Sequence, residues 1–318
     1  MRYFRTYPLG LQLLLFTLMT FTMLSLAWVL IGALLPKVYG VPISDILEIS
    51  EHTKPMLIHL SLIAQGIGSL MFFLTPSLTF AYLTHPSPRK YLGLRAPQKP
   101  IHLLIAILVM LGAMPLFMLL QNLMGHIDFG AEVRQKQAAS DAVFRAYLTM
   151  PAFTDFLRTF IVVAIIPALG EELFFRGIVM RFTHKVTHNI AIPIAFSALI
   201  FAFTHASYSG LPSIFLAGVL LAAIYYLTGS IWCGILAHLF FNGSQIFLSY
   251  LGNSNNKASE LVNENTIQWG LVAGGAVLLV AAFYMLWKTR TPLTNNWSDD
   301  YDHPKHHSAD EQFAVTNE

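Results

Sequence analysis

The chain has 318 residues, of which 55% are hydrophobic and only 11% charged, against about 25% charged residues in a soluble globular domain. That deficit excludes an ordinary soluble domain and points to lipid as the solvent. A formal net charge of +2, without a basic cluster interleaved with aromatics, gives no footprint for nucleic acid.

A run of about 18 or more apolar residues crosses the roughly 30 Å hydrocarbon core as a helix. Eight stretches qualify or nearly do: 9–35, 56–83, 101–124, 153–170, 190–204, 211–227, 231–250 and 267–287. The expected fold is all-α, a polytopic transmembrane helix bundle of about eight spans. Arg2 and Arg5 precede the first span as in a signal peptide, but its apolar region far exceeds the roughly 7–15 residues of a signal core, so it reads as a retained helix. The connection at 125–150 is polar, alanine-rich and free of proline, the pattern of an amphipathic helix on the membrane surface.

Cys233, the single cysteine, lies inside the seventh span, which leaves no internal disulfide and no four-cysteine zinc site. Gly270 and Gly274 in the last span form a small-xxx-small pair of the kind that lets helices approach closely. Residues 291–318 mix Asn, Asp, His, Pro and Ser with few large apolar groups, and are expected to be disordered. His303, His306 and His307 in this tail read as solvated residues rather than metal ligands. The chain thus divides into N-terminal membrane helices with the amphipathic connection (1–150), a second helical core (151–250), a last membrane helix (251–290) and a polar tail (291–318).

Positive charge is retained on the cytoplasmic side of short loops. Arg2, Arg5, Arg89, Lys90, Arg95, Lys99, the stretch 176–185, Lys288 and Arg290 share one side of an eight-span arrangement, so the N and C termini are expected in the cytoplasm. Arg134, Lys136 and Arg145 in the long third connection reduce the contrast. The expected location is the cytoplasmic (inner) membrane of a bacterium.

Ionisable residues within membrane helices are costly and mark functional sites or pairs. Here they concentrate in the second half. Glu171 and Glu172 are adjacent, and successive helical side chains diverge by about 100°, so the two point apart, whereas Glu172 and Arg176 are four residues apart and share a face. This spacing suggests a supporting Glu172–Arg176 ion pair and leaves Glu171 to face a cavity as a base. Phe201 precedes His205 by four residues, and His238 precedes Asn242 by four, which places the latter two on one helix face. A single membrane histidine is more often a packed hydrogen-bonding residue, and Asn242 alone could bridge helices. The set from three helices is what points to chemistry. Asn242-Gly243-Ser244 also spells a glycosylation sequon, made accidental by its apolar setting.

Glu171, Glu172, Phe175 and Arg176, then Phe201 and His205, then His238 and Asn242 follow in the order of three motifs. In them the chain resembles the CPBP family of CAAX proteases and bacteriocin-processing enzymes, also called the Abi family. The resemblance covers about 153–250. It implies an intramembrane endopeptidase in which Glu171 activates water, His205 orients it, and His238 and Asn242 donate to the oxyanion. It also implies a membrane-associated peptide or protein as partner, prenylated and CAAX-type or bacteriocin-like. One carboxylate and two histidines are equally a ligand set for catalytic zinc. Yet Glu171 cannot readily serve as both ligand and base, and the zinc-protease signature His-Glu-x-x-His is absent, which favours metal-independent chemistry. A non-catalytic scaffold or bacteriocin-immunity factor of the same fold is the alternative. A proton-coupled transporter is less consistent with a chain lacking internal symmetry.

Overall fold

Backbone polar groups in hydrocarbon have no water to bond, so long apolar runs satisfy them internally as helices. The computed structural model describes residues 3–49, 53–254 and 268–299. The principal helices are α1 (Leu9–Tyr39), α2 (Pro55–Thr84), α3 (Ile101–Gly125), α4 (Ala131–Leu148), α5 (Phe153–Thr187), α6 (Ala191–Thr204), α7 (Leu211–Thr228), α8 (Ile231–Ser254) and α9 (Trp269–Thr289). Seven of them are long and apolar enough to cross a membrane; the surface helix α4 and the 14-residue α6 are not. The protein is an all-α polytopic membrane bundle. Leu14, Phe21 and Val29 on α1 and Val277 and Val280 on α9 expose their side chains, as lipid-facing surfaces do.

One boundary differs in a way that matters. The fourth span was expected to stop at residue 170, before the charges, but α5 continues for 35 residues to Thr187. It carries Glu172 and Arg176 through the interior as a mutually neutralising pair, 2.8 Å apart and both fully buried, so the charges give the helix no reason to end. Two π-turns, Phe160–Ile165 and Leu173–Val179, interrupt its regular ladder.

Setting α4 aside, consecutive helices run in opposite directions, which gives the bundle two ends. At the first, the connection after α2 meets the α7–α8 turn, where Ile231 N–H donates to Gly93 O (3.3 Å) and Ser230 Oγ to Arg95 O. Lys99 Nζ there donates to Thr289 O at 2.8 Å. This is the end that bears Arg89, Lys90, Arg95, Lys99, Lys288 and Arg290. At the opposite end Tyr147 of α4 bonds Ser61 of α2 through its hydroxyl, 2.8 Å apart; burial pushes the Tyr147 phenol up, so it stays protonated for this bond. Asp155 at the start of α5 holds His59 of α2 and Arg158, each at 3.0 Å.

Gly270 and Gly274 meet nothing that a Cβ would touch, and the close approach of α3 and α9 runs instead through Gly112 and Gly275. A Cβ on Gly112 would lie 2.5 Å from Leu279 N, and one on Gly275 2.9 Å from Gly112 O. The α9 face that meets α3 carries Gly275 rather than Gly270 and Gly274. The tail also begins as ordered chain. Thr291 N–H donates to Leu227 O (2.8 Å) and Leu293 N–H to Tyr226 O (2.9 Å), while Ser298 Oγ bonds His184 Nδ1 at 2.8 Å. Leu293 and Trp297 supply the apolar anchors, packing on the core beside Tyr225. The rest of the expected disordered tail, with His303, His306 and His307, lies outside the described residues.

Candidate active site

Glu171, Glu172 and Arg176 sit on α5, His205 directly follows α6, and His238 and Asn242 lie on α8. At 1.5 Å per residue, Glu171 stands about 24 Å above Thr187, and His205 about 21 Å above Ala191. The two reach the same depth because α5 runs on past the glutamates and α6 stops short.

Glu172 organises the cluster. Its Oε1 accepts from Arg176 Nη1 (2.8 Å) and from His238 Nδ1 (3.1 Å). Arg176 also donates through Nη2 to Gly218 O on α7 at 2.9 Å, and its guanidinium stacks over the Phe201 ring, 4.9 Å from the centroid. One ion pair thereby links α5, α6, α7 and α8. Gly234 lets α8 come in this close, since a Cβ there would lie 2.8 Å from Glu172 Oε2.

The two imidazoles have fixed orientations. His205 Nδ1–H donates to Phe201 O at 2.8 Å, and His238 Nδ1–H to Glu172 Oε1, so in each neutral ring Nε2 carries a lone pair. Both Nε2 atoms face Glu171 Oε2, at 4.0 Å for His205 and 3.9 Å for His238. That buried oxygen has no hydrogen-bond partner, and both gaps exceed a direct hydrogen bond. They suit groups that share a small molecule between them. Asn242 sits apart from this trio: its Nδ2 donates to Val163 O in the first π-turn, at 3.2 Å. Ser197 of α6 donates likewise to Phe175 O in the second π-turn, at 3.4 Å, so both loosened stretches of α5 are tied to neighbouring helices.

Ligands around four-coordinate zinc, each about 2.0–2.1 Å from the metal, lie roughly 3.4 Å from one another. The trio is wider, and among the described residues no group of three His, Cys, Asp or Glu side chains is arranged to hold a metal. As placed, these residues do not fit a zinc set.

Residues 153–244 match the family model described as Rce1-like, type II CAAX prenyl endopeptidase. Over this stretch the chain is similar to the CAAX protease family. The match covers under a third of the chain and spans every residue of the site, from α5 through His238 and Asn242. No curated protein and no solved structure matches.

Sequence reasoning missed Gly218 and Gly234, and gave Phe201 no role beyond its motif. A signal for one was present: Gly234, His238 and Asn242 fall at four-residue intervals on a single face of α8. The Gly218 carbonyl is a backbone group and leaves no such trace.

Proposed function

We propose that the protein is an intramembrane endopeptidase that hydrolyses a peptide bond of a membrane-associated substrate, with Glu171 as general base. The convergence of His205 Nε2 and His238 Nε2 on the unpartnered Glu171 Oε2 carries this reading. Glu171 takes a proton from water, and the hydroxide oxygen attacks the scissile carbonyl while the carbonyl electrons move onto its oxygen. The collapsing tetrahedral intermediate expels the amine, which receives the proton from Glu171. His205 accepts a hydrogen bond from the water through Nε2 and orients it. His238, with a proton taken up from solvent on Nε2, donates to the oxyanion, and Glu172 at its Nδ1 holds the ring in that orientation. A single oxyanion donor is worth about 10²–10³ in rate.

The chemistry proposed is metal-independent, in keeping with the spacing of the trio. On this reading the site lies in the inner membrane of a bacterium, with both termini cytoplasmic. Candidate substrates are prenylated CAAX-type peptides, as the matched family's description says, or bacteriocin-like precursors.

The deciding experiment is cleavage of a membrane-associated peptide library by purified wild-type and Glu171→Gln protein, with and without a chelator. Cleavage kept with chelator and reduced about 10²–10⁴-fold by Glu171→Gln matches the contribution of a general base. Loss with chelator, reversed only by added metal, would replace this chemistry with a metal-dependent one. A protein whose biological effect survives Glu171→Gln is a scaffold or immunity factor.

A further inference from the structure

We infer that Phe201 is a positioning residue for both histidines of the site: its ring sets the tilt of His205 and of His238, and its carbonyl fixes which nitrogen of His205 carries the proton. What the positioned rings then do rests on the peptidase reading above; the positioning itself has a readout that needs no catalysis.

The carbonyl can act because α6 stops here. The last carbonyls of a helix have no backbone donor of their own, and past Phe201 the chain leaves the helical path at once. His205 N–H bonds Ala202 O at 3.3 Å instead of Phe201 O, and Ala206 takes the left-handed region at φ 48°. Phe201 O is thereby left to side chains, and it accepts from His205 Nδ1–H and from Thr204 Oγ1, each at 2.8 Å. In a longer α6 the backbone N–H of residue 205 would occupy that oxygen, and the imidazole would lose the acceptor that leaves its Nε2 as a lone pair.

The ring supplies the second hold. Phe201 is 3% exposed, and its ring centroid lies 4.6 Å from that of His205, tilted by 54°, and 6.0 Å from that of His238, nearly edge-on at 75°. Both distances fall in the roughly 4.5–7 Å range at which aromatic rings attract one another at an angle. The Arg176 guanidinium lies over the same ring at 4.9 Å, and Phe175 meets it edge-on at 5.2 Å, so the ring is itself fixed. Gly218 makes room for it, since a Cβ there would lie 3.3 Å from Phe201 Cδ1.

A hydrogen bond at Nδ1 leaves an imidazole free to rock about that bond, and a ring packed against it removes the freedom. The hydrogen bonds hold each histidine separately; the Phe201 ring ties the two to one another. The near-equal distances of their Nε2 atoms from Glu171 Oε2, 4.0 and 3.9 Å, are the product of both holds.

The test removes the ring and keeps an apolar side chain. Phe201→Leu, or Phe201→Met should the leucine variant not fold, is purified beside wild type and Phe80→Leu. Phe80 is fully buried in the same aromatic core and packs on Phe16 and Phe182, so its loss reports core loosening alone. Cleavage of a fluorogenic prenylated CAAX-type peptide is followed in detergent below each protein's melting temperature. Misplacement of a reacting group by about 1 Å costs up to about 10²-fold in rate, so the Phe201 variant is expected to lose about 10- to 100-fold in kcat with KM within about twofold, while Phe80→Leu keeps the wild-type kcat. An unchanged kcat in the Phe201 variant, or an equal fall in Phe80→Leu, overturns the proposal.

The readout without substrate is nitrogen-15 NMR of the histidine rings, with signals assigned by His205→Gln and His238→Gln. Wild type should show a single Nδ1-protonated population for each ring. The Phe201 variant should add a second population to both, and Phe80→Leu to neither. Single Nδ1-protonated populations in the Phe201 variant overturn the positioning. Where wild type cleaves nothing, the peptidase reading fails and this comparison decides the positioning by itself.

Discussion

His238 and Arg176 share one oxygen of Glu172: Nδ1 of the histidine lies 3.1 Å, and Nη1 of the arginine 2.8 Å, from the same Oε1. The ion pair that neutralises Glu172 is thus also the device that turns His238 Nε2 toward Glu171.

Removing the arginine should therefore cost both stability and geometry. Arg176→Ala leaves a fully buried carboxylate without its cation, a loss of about 3–5 kcal/mol. Thermal unfolding in detergent should shift down by many degrees. Arg176→Lys should restore little, because one ammonium cannot span Glu172 Oε1 and Gly218 O while stacking on Phe201. A melting temperature equal to wild type in either variant would mean the pair is not structural.

Glu172→Gln separates orientation from base chemistry. An amide retains a hydrogen bond to one partner but no longer accepts from both Arg176 and His238 at one charged oxygen, so the ring loses part of its orientation. Cleavage should drop about tenfold or more, which corresponds to roughly 1.4 kcal/mol of lost transition-state stabilisation, with a larger effect on kcat than on KM. An unchanged kcat would remove His238 from the proposed oxyanion role.

Two glycines on neighbouring helices should respond with opposite signs. Gly→Ala in an open helix interior stabilises by about 0.5–1 kcal/mol, the expectation for Gly274→Ala, whose Cβ would meet nothing within 4 Å. Gly234→Ala drives a methyl to 2.8 Å from Glu172 Oε2 and should destabilise by about 1–3 kcal/mol, as overpacking does. Paired melting curves check the signs, and stabilisation by Gly234→Ala would refute the close approach of α8.

Trp297 tests the docked start of the tail. Trp297→Ala removes the ring between His184, Arg181 and Tyr225 and should release the 291–299 segment at a cost of about 1–3 kcal/mol. Limited proteolysis should then cut within 291–299, where the wild type resists. Equal resistance in both would show that backbone bonds to Tyr226 and Leu227 suffice.

The helices were legible because apolar length is a strong signal, and the number and order of helices follow from it. What stayed hidden depended on partners. α5 passes through Glu172 and Arg176 because they neutralise each other, a fact of packing rather than of hydropathy. Four-residue spacing placed Glu172 beside Arg176, and His238 on the face of Asn242. Spacing could not reveal that His238 Nδ1 bonds Glu172 or that Asn242 reaches Val163, since those contacts join different helices. The π-turns have no sequence signature, and the expected tail disorder overlooked that Leu293 and Trp297 are enough to pin a polar stretch.

The brevity of α6 has a consequence for the host bilayer. A helix of 14 residues covers about 21 Å, well short of a hydrocarbon layer near 30 Å. Above His205, lipid must therefore thin or bend to meet a protein wall that ends early. Acyl-chain length becomes a control on the enzyme: short-chain lipids bring the headgroup layer down toward the level of His205, and long-chain lipids submerge it. Reconstitution into bilayers of graded thickness should accordingly tune turnover without any change in the protein.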